Sequence, residues 1–473
     1  MSKQFITHMS RRKWNWLFAG VGTVAAAMLF SGCKGVPTKT EKQSRADLKA
    51  VTQVYRPGER KATLHPLDTN ATLGTFLTYA MLNQPRVEAA YYDYAAAVER
   101  ITVERSLPDP RLSFESDIAD IVMTVMPGLM QEFPGPGKLK AAANVATAES
   151  RTKYFAFENS VLQAAFSLKR AYYQLWFLDE NIRINRQTLD LLAELEEIAR
   201  SQNSAGKVTL QDVYRAQIEQ DQLTTEIENL EDSRRPLIAQ LKGALGLRRD
   251  QADPPQPTRF ESTPLDLNGD ALLDTAFARN PRLKMMEADV RMAEATIALA
   301  RKSKVPDFSL GLMADAKAAP TMFRPSAGMT LPIWRDKIAA QIAQAQATKR
   351  AAEARLTSEQ IMVTVDFAMK SYDYREITRN LALLQDKLIP KARQSLAVAR
   401  AGYLAGQVDF FDLLDAERTL LNFQLQEVEA RTRREIVLAD LSLTIAGIAP
   451  EGAPVLPTAP NASVPQSNNS TGR

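Results

Sequence analysis

The chain has one cysteine, Cys33, and two histidines, His8 and His65, in 473 residues. A lone thiol excludes an internal disulfide and leaves no second sulfur for a structural metal site. His65 stands in a Pro-flanked stretch without a nucleophile or ligand cluster near it in sequence. Neither general-base catalysis nor a soft-ligand metal site is therefore expected, and the chain reads as a non-enzyme without a cofactor. No apolar run reaches the roughly 20 residues that a membrane-crossing helix requires. Any crossing of a bilayer would have to be made by β-strands.

An excess of one charge is also missing. Four of the 59 basic residues and none of the 55 acidic ones lie in residues 1–32, so the remainder balances at 55 against 55. A neutral chain offers no electrostatic footprint for nucleic acid, and that class is dropped. The 45% apolar and 24% charged content is an ordinary globular balance, which excludes a wholly disordered or collagen-like chain.

What residues 1–32 do carry is Lys3, Arg11, Arg12 and Lys13 ahead of apolar residues 16–30, followed by Ser31, Gly32 and Cys33. That order reads as a secretory signal peptide. The segment Leu29-Phe30-Ser31-Gly32-Cys33 resembles a bacterial lipoprotein signal, with Phe30 where Leu is commoner. The resemblance implies that Cys33 becomes the lipidated first residue of the mature protein. In such signals an Asp after the Cys favours the inner membrane; Lys34 in that place points to the outer membrane.

The rest of the chain is duplicated. Ile198-Ala199-Arg200, Ala205-Gly206-Lys207-Val208, Asp212 and Ala216 match Val398-Ala399-Arg400, Ala405-Gly406-Gln407-Val408, Asp412 and Ala416, each pair 200 positions apart. Upstream, Pro85-Arg86-Val87 matches Pro281-Arg282-Leu283, and Pro110, Leu112, Ser113 and Phe114 match Pro306, Phe308, Ser309 and Leu310, at an offset of 196. Shared Pro and Gly punctuation is not what two Ala-rich helices would produce by chance.

Each copy has the same order: a helix after an Asn/Pro start, an extended segment, a very long helix, a Gly turn and a returning helix. Residues 138–202 contain neither Pro nor Gly, enough for a helix of roughly 95 Å. The second long helix, residues 335–401, contains only Pro390 and Gly-free sequence around it, so a local kink is expected there. Gly206 and Gly406 supply the left-handed conformation that ends a helix, folding each long helix back as a hairpin.

The extended segments alternate. Phe308, Leu310, Leu312 and Ala314 interleave with Asp307, Ser309, Gly311 and Met313, and Phe323, Ala327, Met329 and Leu331 interleave with Arg324, Ser326, Gly328 and Thr330. A period of two with one apolar face suits lipid on one side and water on the other. In the first copy Leu112 and Phe114 alternate with Ser113 and Glu115, whereas residues 121–130 are apolar on both faces and show no clear turn. About ten residues per strand is near the 9 to 11 that a tilted transmembrane strand needs. Four strands cannot close a barrel, and open edges are not tolerated in hydrocarbon, so other copies of the chain must complete it.

The expected division is a signal peptide at 1–32, a lipid-anchored segment at 33–75 and repeat 1 at 76–249, with a strand hairpin near 110–134 and helices near 138–245. A Pro-containing linker at 250–268 leads to repeat 2 at 269–447, with a strand hairpin near 306–332 and helices near 335–446, and to a disordered tail at 448–473. The fold class is mainly α with a small transmembrane β part, built on duplicated long-helix hairpins.

The Asn/Pro starts at Asn83 and Asn280, the strand ends Phe133-Pro134 and Leu331-Pro332, and the two Ala-Gly-x-Val-x-x-x-Asp turns jointly resemble the outer-membrane efflux protein family, the TolC-like proteins. The similarity covers roughly residues 75–447. It implies a homotrimer with a twelve-stranded β-barrel in the outer membrane and an α-barrel tunnel across the periplasm. A periplasmic adaptor protein and an inner-membrane pump would be the partners, and the chain a passive exit duct. Gln131-Glu132-Phe133-Pro134-Gly135-Pro136-Gly137-Lys138-Leu139 resembles the branch associated with heavy-metal efflux pumps. Read by itself, Gly135-Pro136-Gly137-Lys138 lacks the spacing of a phosphate loop and serves as a hinge into the long helix.

In TolC-like proteins inward-facing acidic residues of the second repeat narrow the periplasmic end, and the matching stretch is Asp412-Leu413-Leu414-Asp415-Ala416. A spacing of three puts both carboxylates on one helical face, which threefold symmetry would repeat as rings of negative potential. Read structurally, Asp412 caps the returning helix and Asp415 is solvated. Tyr403 matches a Tyr that helps hold the end closed in such ducts, and Val408 stands where an Arg takes part in the closing links. The corresponding residues of the first repeat are Asn203, Asp212 and Arg215. Two other functions share parts of this pattern: the exit duct of a type I protein secretion system, and a periplasmic adaptor or coiled-coil scaffold lipoprotein. The scaffold would not need the paired strands.

Overall fold

Between Gly137 and Gly206 no residue interrupts a helix, and the chain forms one helix of 67 residues, Lys138–Ser204. At 1.5 Å per residue it runs about 100 Å. The computed structural model describes residues 36–64, 66–68, 70–119, 122–257, 259–262, 269–315 and 322–445. The expected signal peptide, Cys33, His65 and the residues after 445 lie outside the described residues.

Helices α1 (Lys39–Tyr55), α2 (Leu73–Asn83) and α3 (Pro85–Arg105) lead into strands β1 (Arg111–Ala119) and β2 (Val122–Phe133). Helices α4 (Lys138–Ser204) and α5 (Leu210–Ala244) follow. The order then repeats with α6 (Gly269–Arg279), α7 (Pro281–Lys302), β3 (Phe308–Asp315), β4 (Met322–Met329), α8 (Arg335–Leu383), a π-helical turn (Leu384–Leu388), α9 (Ile389–Leu404) and α10 (Phe410–Ile445).

The kink expected at Pro390 takes a specific form. The N–H of Ile389 donates to Leu384 O, one residue further back than in an α-helix. Proline has no N–H and its ring crowds the carbonyl four residues earlier, and a wider turn accommodates both. The helix before it, α8, is otherwise unbroken over 49 residues.

Contacts group the described residues into two compact units, each drawing on both repeats: residues within 1–45, 96–150 and 289–352, and residues within 46–95, 151–288 and 353–473.

The first unit holds one antiparallel sheet in the order β1-β2-β3-β4. The register brings Leu112 opposite Leu129, Leu129 opposite Leu312, Phe133 opposite Phe308 and Phe308 opposite Met329. Partners in an antiparallel ladder share a face. One apolar face therefore crosses all four strands, and its side chains are open: Leu112, Phe114, Leu310, Leu312 and Phe323 are each at least half exposed. Residues 121–130, ambiguous by pattern, belong mainly to β2, whose register against β1 puts Leu129 on the apolar face. Below the sheet, Asp307 Oδ1 accepts from the Gly135 N–H at 2.7 Å, and both carboxylate oxygens accept from Lys138 Nζ at 2.7 and 2.8 Å. The hinge read from Gly135-Pro136-Gly137-Lys138 is thus pinned to β3. In the same unit the fully buried Glu41 of α1 accepts from Arg45 at 3.2 Å and pairs with Arg105 of α3 at 3.3 Å.

The second unit is helical. Phe157 meets Tyr55 and Tyr91 edge to face at 5.6 and 6.1 Å, and the two tyrosine rings lie tilted to one another at 5.3 Å. The two repeat starts do the same job: Asn83 Nδ2 donates to Leu245 O at 3.0 Å, and Asn280 Nδ2 to Thr444 O at 2.7 Å. Asn280 Oδ1 also accepts from the Arg282 N–H at 2.8 Å, capping α7. Each Asn thereby ties the start of its repeat to the end of that repeat's returning helix.

Two features add detail within the expected division. Residues 33–75 contain the 17-residue helix α1, which local periodicity did not single out. The described part of the linker is packed: Tyr172 and Tyr173 hydroxyls donate to Arg259 O and Glu261 O at 2.7 and 2.6 Å, and Phe260 lies 4.3 Å from the Trp176 ring with Arg431 4.9 Å over it.

Candidate functional site at the helix-hairpin turns

Both hairpin turns lie in the second unit and are built alike. Gly206 and Gly406 each have φ of 71°, the left-handed region where a side chain is strained. The Gly206 N–H donates to Asn203 O and that of Lys207 to Gln202 O, at 2.9 and 3.0 Å. The Gly406 N–H donates to Tyr403 O and that of Gln407 to Gly402 O, at 3.1 and 2.8 Å. These paired bonds satisfy carbonyls that the helix end leaves open.

The side chains then diverge. In the first repeat Asn203 Nδ2 spans its turn to Val208 O at 2.8 Å. Its counterpart Tyr403 has no such reach; it turns inward, 4% exposed, with its ring 5.3 Å from Phe410. Around it lie Leu192, Leu195 and Ala199 of α4, Val213 and Ala216 of α5, and Leu413 and Leu414 of α10. Its hydroxyl is buried without a hydrogen-bond partner. Burial first, and the nearby Asp212 carboxylate second, push that phenol up to about 12.

Asp412 and Asp415 occupy the first two turns of α10 and are both exposed. Their spacing places them on one face, as the sequence indicates, while Leu413 and Leu414 between them point into the core. Tyr403 does not share that face. The acidic pair and the tyrosine thus form two separate features: a solvent-facing carboxylate pair, and a buried ring next to Asp212.

Asp212 corresponds to Asp412 in the duplication, yet its surroundings are distinct. Burial raises its carboxyl, Arg215 at 4.0 Å lowers it and Asp409 raises it again, for a net upward shift. The Arg215 guanidinium also stands 5.9 Å from the exposed Phe411 ring. Two further groups escaped the sequence reading: Glu417, buried on α10, and Arg418, which pairs with Glu219 of α5. An acidic residue on the stripe set by Leu413 and Leu414 was the available signal.

Among the described residues, no group of three or more His, Cys, Asp or Glu side chains could hold a metal ion, and no helix is long and apolar enough to cross a membrane. Cys33, the expected lipidation site, is not among them.

Comparison with known proteins gives a consistent result. The model of a family described as outer membrane efflux protein matches residues 77–247 and 272–447. The cobalt-zinc-cadmium resistance protein CzcC of Cupriavidus metallidurans is 22% identical over 258 residues, 54% of this chain and 61% of CzcC. The chain thus aligns with somewhat under two thirds of that relative. Among solved structures, the outer membrane protein VceC of Vibrio cholerae matches with a TM-score of 0.67 at 18% identity, over 79% of this chain and 96% of VceC. CusC matches with a TM-score of 0.71 at 16% identity, over 82% of this chain and 98% of CusC. At these identities the structures establish a shared fold.

Proposed function

This chain belongs to the outer membrane efflux protein family, and we propose that it serves as the passive exit duct of a tripartite efflux system. The observation that carries the reading is the four-stranded sheet with one continuous exposed apolar face, whose outer strands β1 and β4 pair on one side only. Such a sheet is stable in hydrocarbon only when its edges are paired. Three copies joined edge to edge would close a twelve-stranded barrel, with the long helices continuing as a tunnel into the periplasm.

In this reading the β-strands cross the outer membrane, a lipid on Cys33 anchors the chain to it, and an adaptor and an inner-membrane pump supply the cargo and the energy. The proposed cargo is a divalent metal ion, supported by the likeness to CzcC, a cobalt-zinc-cadmium resistance protein. Asp412 and Asp415 would face the lumen in rings at the periplasmic end and favour cations over anions, a barrier of charge and width rather than a binding site.

Membrane fractionation followed by gel electrophoresis without heating tests the proposal. The chain is expected in the outer-membrane fraction as a species of about three chain masses that collapses to one on heating. Recovery in the inner membrane or as a soluble monomer would rule the duct out and favour the scaffold function.

A further inference from the structure

Glu417 continues the buried stripe of α10 that holds Leu413 and Leu414. It follows Leu413 and Leu414 by one helical turn on α10, and all three are buried, Glu417 at 3% exposure. The duplication provides a control for this position. Its counterpart 200 residues earlier is Gln217, whose amide donates to Glu196 Oε1 of α4 at 2.8 Å. The counterpart of Glu196 in the second repeat is Leu396. Repeat 2 has therefore exchanged a neutral amide for a carboxyl and exchanged the partner of that amide for an aliphatic chain.

The charges around Glu417 do not compensate it. From α5, Glu219 faces it with the same sign and is itself held by Arg418, whose Nε donates at 3.1 Å. From α4, Glu196 is taken up by Arg200, Gln217 and Gln220, and Glu194 by Arg400 of α9. Burial, and then Glu219, push the Glu417 carboxyl up to about 7, with Arg418 pulling weakly the other way. An ionised carboxylate in apolar packing is costly, so ionisation favours any arrangement that gives it water.

We propose that Glu417 is a proton-operated latch: protonated, it sits in the packing that α10 makes at the hairpin turn and keeps that end closed; ionised, it loosens it. The consequence for transport rests on the duct reading, whereas the latch itself is a property of the helical core. The sign follows from linkage. A carboxyl raised in the closed state stabilises that state fully below its ordinary value of about 4.3, and the contribution is lost as pH rises through about 7. Opening therefore increases with pH.

The test compares the full-length protein with Glu417→Gln between about pH 5.5 and about pH 8.5, by single-channel recording in planar bilayers and by limited proteolysis at the Gly406 turn. One proton per chain permits at most about a tenfold change per pH unit for each copy. Open probability and cleavage rate are expected to rise severalfold across this range in the unaltered protein, and to lose that rise in Glu417→Gln, which resembles the Gln217 of the first repeat. Glu417→Leu provides a second neutral variant and should give the same flat profile. Equal pH profiles in all three proteins would overturn the latch. An absence of conductance at every pH would overturn the duct reading, and the proteolysis profile would then still decide the latch.

Discussion

The ammonium group of Lys138 donates to both carboxylate oxygens of Asp307, at 2.7 and 2.8 Å, so the first residue of the long helix in repeat 1 is bound to the residue preceding β3 in repeat 2. Burial would raise the Asp307 carboxyl, but the bonds from Lys138 and from the Gly135 N–H outweigh it and hold the group below its usual range. A depressed carboxyl contributes stability above its unfolded value of about 3.9, and the contribution is lost as pH falls through the lower folded value. Asp307 is 41% exposed, so solvent screening limits the effect of Asp307→Asn to about 1 kcal/mol. Thermal melts should show this loss at neutral pH, and should show it vanish in strong acid.

The buried Asn280 makes a larger contribution. Replacing it with Ala removes the bond to Thr444 O and the cap on α7 together, leaving a buried carbonyl unsatisfied. Asn280→Ala is expected to cost about 2 to 3 kcal/mol, against about 1 for the half-buried Asn83→Ala. Urea denaturation of the detergent-solubilised protein checks the ordering; equal losses would show that the two repeat starts are not distinguished by burial.

Much of this was readable in advance, for reasons particular to each element. Strands β3 and β4 are legible because one face is apolar and the other polar, a period of two across residues 308–314. The turns at Gly206 and Gly406 were legible because a left-handed residue is a local demand. Helix α1 was not, since its buried Glu41 is paired with Arg105, more than sixty positions away. The packed linker depends on Tyr172, Tyr173 and Trp176, which read only as helix core. Tyr403 was grouped with Asp412 and Asp415 by family likeness, and its burial reflects contacts with α4 and α5 that no local pattern encodes.

The sheet gives a sharp contrast between neighbouring residues. Leu310 lies on the apolar face and Ser309 on the opposite one. An Arg at Leu310 is expected to destabilise the membrane-inserted form by about 2 to 4 kcal/mol, and an Arg at Ser309 by much less. Yield of the heat-sensitive oligomer from outer membranes reads the difference. A reversed ranking would invert the lipid and water faces.

Asp412 and Asp415 are exposed, so replacing both with Asn is expected to leave stability unchanged and to alter only permeation. Reversal potentials across a salt gradient should show cation preference reduced severalfold in the double variant. An unaltered preference would return both to the role of solvated surface residues in the first turns of α10.

A duct requires that copies of this chain make a continuous water-filled path. Purified full-length protein in a planar bilayer, without adaptor or pump, measures that directly. A duct predicts discrete, long-lived conductance steps that appear with the oligomer and are absent from the heat-dissociated chain. A bilayer that remains silent with native oligomer inserted would contradict it.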